Sequence, residues 1–278
     1  MPENEVNRGT SIRDAATVIV NFGWALGRCA ILVGLLGEMR WIDRVTTKYA
    51  SPVGSKWSRH VIQTAKGDRM LEMIGQPGCE LISQPDSSFL RDLAAIVESG
   101  NTAPCVAEIG VGIGATTVAV CRMLSNRGSF HLFDFADKLE VLRKDLNALG
   151  FHSFECFGNS RGHWDSYNWS LIKIIERESS PIYDYVYIDG AHTVLHDALA
   201  FYLVDSLLKP GGCVNFDDYY WSFATSPGIN PERNPGIRDF LTEEQIKARQ
   251  VKMVIDLLVE RHAGYECIER NKVYRKVV

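Results

Sequence analysis

Three aspartates follow two apolar segments, at the points where each segment ends. Asp189 follows Tyr185–Ile188, and Asp217 and Asp218 follow Cys213–Phe216. If the two segments are neighbouring parallel strands, their carboxyl ends meet at one edge of a sheet and bring like charges together. A divalent cation relieves that repulsion, and Mg²⁺ prefers oxygen ligands. The spacing therefore predicts a magnesium site, while the alternative is that acidic strand ends only cap loops or helix N-termini.

A histidine lies three residues after the first of these aspartates. An imidazole titrates near neutral pH, so His192 is a candidate general base, and Asp189 and His192 form the predicted catalytic pair. One alternative is that His192 caps the following helix or binds the backbone. Another is a zinc site with His196, four residues later. The carboxylate-rich neighbourhood favours the harder cation.

A glycine-rich loop follows another predicted strand and opens a helix. Gly110, Gly112 and Gly114 alternate in it, which lets the backbone turn tightly and approach a ligand, although a tight β–α turn alone also explains them. Asp134 lies twenty residues after the last glycine, where a carboxylate can bind ribose hydroxyls. Glu108 would repel a pyrophosphate but suits a ligand with an ammonium group. These features favour S-adenosylmethionine over a nicotinamide dinucleotide.

Strands and helices must alternate to position these residues. The predicted strands are Cys105–Ile109, Phe130–Phe133, Phe154–Phe157, Tyr185–Ile188 and Cys213–Phe216, with a hairpin of Tyr265–Glu269 and Val273–Val277. The first predicted helix begins after a cap at Asp86 or Ser87. The later ones are Thr116–Leu124, Lys138–Leu149, Leu171–Arg177, Leu195–Leu207 and a long helix from the Thr242/Gln245 capping box to about Arg261. Lys209–Gly212 predict a helix stop and a turn. This rhythm predicts an α/β fold with a mostly parallel sheet covered on both faces.

The glycine motif, Asp134 and the stretch from Tyr185 to Tyr219 together resemble class I S-adenosylmethionine-dependent methyltransferases. The resemblance covers roughly residues 85–278 and is strongest to O-methyltransferases of the macrocin type. It implies a Rossmann-like fold whose mostly parallel, seven-stranded sheet ends in an antiparallel hairpin. It also implies that the first two glycines line the methionine part of the cofactor, that Asp134 holds the ribose, and that Gly158-Asn159-Ser160 meets the adenine. The cofactor-binding residues predicted in this way are Glu108, Gly110, Gly112, Gly114, Asp134, Asn159, Ser160 and Asp189.

Metal-dependent catechol-type and sugar-type relatives carry their metal ligands at the ends of the same two strands. The resemblance therefore implies a metal set of Asp189, Asp217 and Asp218. The sequence departs from its relatives at three positions. His192 stands where catechol-type relatives have a catalytic lysine, Ala191 where some macrocin-type relatives have an acid, and Asn159 where relatives often have Asp.

The activity implied is Mg²⁺-dependent methyl transfer from S-adenosylmethionine to a hydroxyl of a small molecule, with a sugar of a glycoside, antibiotic or surface glycan as the expected acceptor. Six aromatic residues offer surface for such a substrate, although packing is their commoner role: Trp164, Trp169, Tyr219, Tyr220, Trp221 and Phe223. The alternatives are a metal-independent N- or O-methyltransferase and a non-catalytic cofactor-binding or membrane-associated scaffold.

Composition excludes several other classes of protein. The 278 residues include 30 Lys and Arg and 34 Asp and Glu, for a net charge of −4. Duplex nucleic-acid binders need a basic surplus, so no nucleic-acid partner is expected. Seven cysteines without a C-x-x-C pair, and an N-terminus unlike a secretory signal, predict a reduced, cytoplasmic protein.

Residues 1–84 precede the region of resemblance and are predicted to form a helical extension, with the methyltransferase domain at 85–278. Within the extension, residues 15–37 are apolar over nearly the length of a membrane span, but Asn21 and Arg28 interrupt them. Gly23 and Gly27 allow close helix approach. We expect this segment to be a helix buried against a second subunit of a homo-oligomer or against its own domain, and not to span a membrane.

Overall fold

The computed structural model describes residues 69–162 and 164–278, within which strands and helices alternate. The strands are β1 (Cys105–Ile109), β2 (Ser129–Phe135), β3 (Phe154–Asn159), β4 (Tyr183–Ile188), β5 (Leu208–Phe216), β6 (Tyr265–Glu269) and β7 (Val273–Lys276). The helices are α1 (Ser87–Glu98), α2 (Ala115–Leu124), α3 (Ala136–Ala148), α4 (Tyr167–Arg177), α5 (Val194–Leu207), α6 (Glu243–Lys247) and α7 (Gln250–Val254), which continues as a π-helical turn over Ile255–Val259. Short 3-10 turns cover Leu71–Met73, Glu80–Ile82, Phe223–Thr225 and Pro235–Asp239.

All seven strands form one sheet in the order β3-β2-β1-β4-β5-β7-β6. Strands β1 to β5 pair in parallel, whereas β7 pairs antiparallel with both β5 and β6. The predicted mostly parallel, seven-stranded sheet with an antiparallel C-terminal hairpin is therefore confirmed. The order of the strands reverses between β1 and β4. Open α/β sheets bind ligands at such a switch point, beyond the carboxyl ends of the strands.

Alternating side chains on the strands divide the core into two layers. In β4, Val186 and Ile188 face the layer that contains α4, α5 and α7. Tyr185 and Tyr187 face the opposite layer, which contains α1, α2 and α3. All four side chains are buried, because helices cover both faces of the sheet.

The chain before α1 packs on the second of these layers. Met70 is buried there, and Leu71 N–H donates to Asp145 Oδ2 at 2.9 Å. The predicted domain boundary at residue 85 stays a prediction. The helix predicted over residues 15–37 lies outside the described residues, as does most of the predicted extension. Within residues 69–162 and 164–278, no helix is long and apolar enough to cross a membrane.

The helix stop predicted after α5 is confirmed, but the predicted turn is part of a strand. Helix α5 ends at Leu207 and β5 begins at the next residue. Tyr183 pairs with Leu208 and Tyr185 with Cys213, so the residues between form a bulge in β5 rather than a separate turn.

The single long helix predicted from Thr242 to about Arg261 is wrong, because the helix is broken. Its capping box is confirmed, since Thr242 Oγ1 accepts from Gln245 N–H and Gln245 Oε1 accepts from Thr242 N–H. Helix α6 then ends at Lys247, and helical structure resumes only at Gln250.

The break is caused by tertiary contacts rather than by helix propensity. Ala248 and Arg249 favour helices, yet their ψ angles are 142° and 85°. Gln250 is buried beyond them, and its side-chain amide accepts from Val194 N–H at 2.9 Å and donates to Gln245 O at 3.0 Å. The extended pair thus turns Gln250 toward the start of α5.

Asp86, at the start of α1, contacts both β5 and the turn between β6 and β7. Its carboxylate accepts from Phe89 N–H at 2.6 Å and from Asn215 Nδ2 at 2.9 Å, and it lies 2.6 Å from Lys272 Nζ. One buried carboxylate therefore caps a helix, accepts from the amide nitrogen of a β5 side chain and pairs with the hairpin turn.

We expect Asp86→Ala to lower the free energy of unfolding by about 2–4 kcal/mol, because it removes a helix cap and leaves Lys272 unpaired. Urea unfolding measures the loss. Asp137→Ala is the matched control, since Asp137 is an exposed carboxylate in the first turn of α3 and its ion pair should contribute less than about 1 kcal/mol. Equal losses in the two variants would contradict the assignment.

Candidate functional site

The loops after β1 and β4 meet at the switch point of the sheet. Gly110 has a φ angle of +90°, and a Cβ atom there would overlap the Asp189 carbonyl oxygen. Gly110 N–H donates to Phe133 O, and Asp189 N–H donates to Ile109 O, each at 2.8 Å. Glycine at position 110 thus lets the predicted cofactor loop lie directly against the end of β4.

The other two glycines of the loop have different surroundings. A Cβ atom at Gly112 would have no other atom within 4 Å, so open space adjoins the loop there. A Cβ atom at Gly114 would lie 2.7 Å from Leu71 Cδ2 and 2.9 Å from Leu142 Cδ1. Room for a ligand therefore lies at Gly112, whereas Gly114 allows the start of α2 to pack against the protein's own side chains.

Glu108, the acidic residue before the loop, is buried with only 2% of its surface exposed. Thr117 Oγ1 donates to Glu108 Oε2 at 2.7 Å. Burial raises the pKa of Glu108 to about 8, against the lowering effects of the Thr117 hydrogen bond and the Lys138 charge. The carboxyl is therefore largely protonated at neutral pH until a cation comes close to it.

Asp134 at the end of β2 already has several donors. Its Oδ2 accepts from Val111 N–H at 3.0 Å and from Lys138 Nζ at 2.7 Å, and its Oδ1 accepts from Phe135 N–H at 2.7 Å. A carboxylate has about four acceptor positions, so contact with both ribose hydroxyls requires Lys138 to move aside. Sequence reasoning missed Lys138, although its i, i+4 spacing from Asp134 was a usable signal.

The predicted adenine-binding turn lies at the end of β3. Asn159 is buried there, and its Nδ2 donates to Ser160 O at 3.1 Å. Ser160 is exposed, and its N–H donates to Asp165 Oδ2 at 2.6 Å. Because β1, β2 and β3 are parallel neighbours, this turn lies on the same sheet edge as the glycine loop.

Two of the three predicted metal-ligating aspartates lie beside His192. One ligand atom each of Asp189, His192 and Asp218 lies within 4.8 Å of the other two. His192 Nε2 is 3.4 Å from Asp218 Oδ2 and 3.9 Å from Asp189 Oδ1. Asp217, the third predicted ligand, instead accepts a hydrogen bond at Oδ2 from Tyr187 OH at 2.7 Å.

Crowding and burial change the pKa values in this group. Burial raises the pKa of Asp189 well above its usual range, and the charges of Asp217 and Asp218 raise it further. Burial and the charge of Asp217 raise the pKa of Asp218 to about 7, although Lys272 opposes that rise. Burial lowers the pKa of His192. The imidazole is therefore neutral at neutral pH, beside carboxylates whose charge is poorly compensated.

The segment after β5 packs aromatic rings beside His192. The Trp221 ring lies 5.0 Å from the His192 ring and 4.7 Å from the Phe223 ring, measured between centroids. Phe223 is buried with Ile237 and Ile246 in a small apolar cluster separate from the two main layers. This cluster fixes the Pro- and Gly-rich loop that carries Trp221.

The remaining predicted aromatic residues have more varied positions. Tyr219 OH donates to Asp256 Oδ1 at 2.8 Å, which is a packing role. Trp164, Trp169 and Tyr220 are exposed. Among the ring contacts described here, that of Trp221 reaches a predicted catalytic side chain.

A family model described as a methyltransferase domain matches residues 107–219. The match runs from β1 to the residue after Asp217-Asp218, so it includes the glycine loop, Asp134 and His192. The predicted resemblance to methyltransferases is therefore confirmed over these residues. A comparison with curated proteins gives no significant match.

Solved structures with a similar chain path include several O-methyltransferases. A Staphylococcus aureus protein provisionally named a caffeoyl-CoA O-methyltransferase is 18% identical over 81% of this chain and 99% of its own, with a TM-score of 0.48. The Streptomyces achromogenes O-methyltransferase TomG, in complex with SAM, is 18% identical over 65% and 81%, with a TM-score of 0.40. A Bacillus cereus O-methyltransferase, in complex with SAH, is 19% identical over 72% and 82%, with a TM-score of 0.41. Similarities this low do not carry a neighbour's ligand or substrate over to this chain.

The raised pKa of Glu108 predicts how stability depends on pH. The folded-state pKa of about 8 exceeds the ordinary value of 4.5. The protonated carboxyl therefore favours folding below about pH 4.5, and this contribution is lost as the pH rises through about 8. Glu108→Gln should consequently flatten the fall in unfolding free energy between pH 5 and 8.5, measured by urea unfolding in the absence of added ligands. Glu98→Gln, an exposed change in α1, should leave the wild-type slope intact. The same slope in Glu108→Gln as in wild type would show that the carboxyl ionises freely.

Proposed function

We propose that the protein is a Mg²⁺-dependent O-methyltransferase that uses S-adenosylmethionine to methylate a hydroxyl of a small molecule, with a sugar of a glycoside, antibiotic or surface glycan as the acceptor. The observation that carries the proposal is the meeting of Asp189, His192 and Asp218 at the sheet edge that also bears Gly112 and its open space. Cation ligands, a proton acceptor and a place for the methyl donor would then share one crevice. The family match over residues 107–219 supports the reaction class. The sugar acceptor rests on the sequence resemblance.

The residues around the glycine loop fit the chemical groups of S-adenosylmethionine. The open space at Gly112 gives room beside a backbone that no side chain shields. A ligand ammonium near Glu108 would restore the ionised form of that buried carboxyl. Asp134 and Asn159 would meet the ribose and the adenine from the ends of β2 and β3. When bound, S-adenosylmethionine supplies an electrophilic methyl group on a sulfonium.

Asp189 and Asp218 fit a divalent cation. Both carboxyls are partly buried close to other negative charges and have raised pKa values, and a cation held by them would remove that penalty. A divalent cation held by Asp189 and Asp218 would lower the pKa of an acceptor hydroxyl and orient it. Asp217 would join this set only by giving up the hydrogen bond from Tyr187.

His192 has two conceivable roles that exclude each other. A lone pair on Nε2 that binds a metal is not free to accept a proton. Mg²⁺ prefers oxygen ligands, whereas imidazole suits Zn²⁺, Mn²⁺ and Fe²⁺. With Mg²⁺ as the cation, we therefore assign His192 the role of proton acceptor.

His192 Nε2 would accept the proton of the acceptor hydroxyl. Burial favours the neutral imidazole needed for this step, and Asp218 and Asp189 at 3.4 and 3.9 Å would stabilise the imidazolium that results. The acceptor oxygen would then bond to the methyl carbon as the carbon–sulfur bond breaks and S-adenosylhomocysteine leaves. Opposite charges are neutralised in this step, so correct positioning would supply much of the rate. The Trp221 ring beside His192 offers a flat apolar face for a sugar ring and shields this step from water.

The cofactor assignment predicts the behaviour of Asp134→Ala. S-adenosylhomocysteine should bind this variant more weakly by about 1.5–3 kcal/mol, because charge-assisted hydrogen bonds are lost. Isothermal titration calorimetry measures the change. Asp205→Ala is the control, since that carboxylate accepts from Tyr265 OH near the distal end of α5. Unchanged affinity in Asp134→Ala would remove the ribose assignment.

The metal assignment predicts the effect of chelation. EDTA should abolish the transfer of labelled methyl from S-adenosylmethionine to a pool of glycosides, and added Mg²⁺ should restore it. Asp218→Asn should weaken Mg²⁺ binding by about tenfold or more, whereas His192→Gln should leave that binding nearly unchanged and lower kcat about 10²–10⁴-fold.

Other results would select the rival assignments. Loss of Mg²⁺ affinity in His192→Gln would make His192 a ligand instead of the base. Transfer that survives EDTA would favour a metal-independent methyltransferase. Binding of S-adenosylhomocysteine without transfer to any hydroxylated compound would favour a non-catalytic scaffold.

A further inference from the structure

We propose that Tyr167 and Asp197 form a positioning pair that holds residues 190–193, and through them Asp189 and His192, in the arrangement on which the proposed function rests. Neither residue belongs to the predicted site, and neither contacts the open space at Gly112. Their role would be to fix the backbone on both sides of the proposed base.

The backbone at His192 needs such support. His192 has a φ angle of +53°, in the left-handed region that non-glycine residues enter at a cost. A residue stays in that region only when its surroundings leave no better choice. Because the imidazole direction follows from this backbone, whatever holds the loop also aims Nε2 at Asp218 and Asp189.

Tyr167 contacts the loop through both its ring and its hydroxyl. A Cβ atom at Gly190 would lie 2.8 Å from Tyr167 Cε1 and 2.8 Å from its hydroxyl oxygen, so the ring packs directly on the Gly190 backbone. The hydroxyl accepts from Ala191 N–H at 3.4 Å and donates to Asp197 Oδ1 at 2.8 Å. Only 7% of Tyr167 is exposed, so the ring has little freedom to shift.

Asp197 reaches the loop on both sides of His192. The carboxylate belongs to the first turn of α5 and is 1% exposed. Its Oδ1 accepts from Tyr167 OH, and the same hydroxyl accepts from Ala191 N–H. Asp197 N–H also donates to Thr193 O at 2.9 Å. Asp197 thus contacts the residue after the proposed base directly, and the residue before it through the Tyr167 hydroxyl.

Both ends of the same segment are also fixed. Gly110 lies against the Asp189 carbonyl, and Gln250 Oε1 accepts from Val194 N–H at 2.9 Å. The segment from Asp189 to Val194 is therefore held by the glycine loop at one end and by α7 at the other. Tyr167 and Asp197 supply the contacts in the middle, where His192 lies.

Tyr167→Phe tests the pair because it keeps the ring and removes only the hydroxyl. Tyr183→Phe is the matched control. Tyr183 is another fully buried tyrosine, whose hydroxyl contacts His131 Nδ1 at 2.8 Å at the opposite end of β4. Both variants should lose a similar amount of thermal stability, since each loses one buried hydrogen bond.

The first readout is the imidazole NMR signal of His192, assigned by its loss in His192→Gln. Because the Trp221 ring lies 5.0 Å away, its ring current makes that signal sensitive to small movements. The signal should shift in Tyr167→Phe and stay in place in Tyr183→Phe. The second readout is Mn²⁺ affinity by electron paramagnetic resonance, which should fall about tenfold in Tyr167→Phe only. S-adenosylhomocysteine affinity should be unchanged in both variants.

Asp197→Asn keeps the test decisive if Tyr167→Phe is poorly folded. It should reproduce the His192 shift, and the double variant should be no worse than the stronger single one, because both residues act on one loop. An unmoved His192 signal in folded Tyr167→Phe or Asp197→Asn would overturn the proposal, as would equal shifts in Tyr167→Phe and Tyr183→Phe. If the wild-type protein binds no Mn²⁺, the proposed metal site fails, while the His192 signal still decides whether the pair positions the loop.

Discussion

The contact between the Gly110 backbone and the Asp189 carbonyl oxygen sets the spacing of the whole site. Parallel pairing brings the ends of β1 and β4 side by side, but only the missing side chain at Gly110 lets the two loops touch. The loop that adjoins open space at Gly112 and the strand end that carries the acidic group are therefore one surface. Any side chain at position 110 would separate the two. The fold thus brings the two loops together through backbone packing alone.

The same convergence concentrates negative charge. Asp189 and Asp218 lie close together because neighbouring parallel strands end at one edge, and burial makes their charges costly. The charges of two lysines act on these carboxyls, but each lysine is already paired. Lys138 binds Asp134, and Lys272 binds Asp86. The negative charges of Asp189 and Asp218 are therefore not fully neutralised within the protein. A cation bound to these carboxylates would stabilise the folded state.

Sequence patterns predicted most of the fold because local chemistry determines it. The cap at Asp86 and the strand that ends before Asp189 follow from side-chain type and periodicity. Strand ends also located the acidic cluster, since topology alone brings them together. The direction of each side chain was not predictable in this way. Asp217 turns to Tyr187, which adjacency to Asp218 did not reveal. The helix break before Gln250 likewise depends on a distant contact with α5, which no window of local sequence contains.

The position of β7 inside the sheet has a consequence for how the chain is made. β7 lies between β5 and β6, although it is the last strand to be synthesised. Translation proceeds from the N-terminus, so the β5 edge that β7 covers stays unpaired until residues 273–276 have been synthesised. Asp86, whose carboxylate caps α1, likewise cannot pair with Lys272 until that residue has been synthesised. Pairing of this β5 edge is thereby delayed until β7 has been made, and a nascent chain interrupted before residue 272 exposes a strand edge open to aggregation.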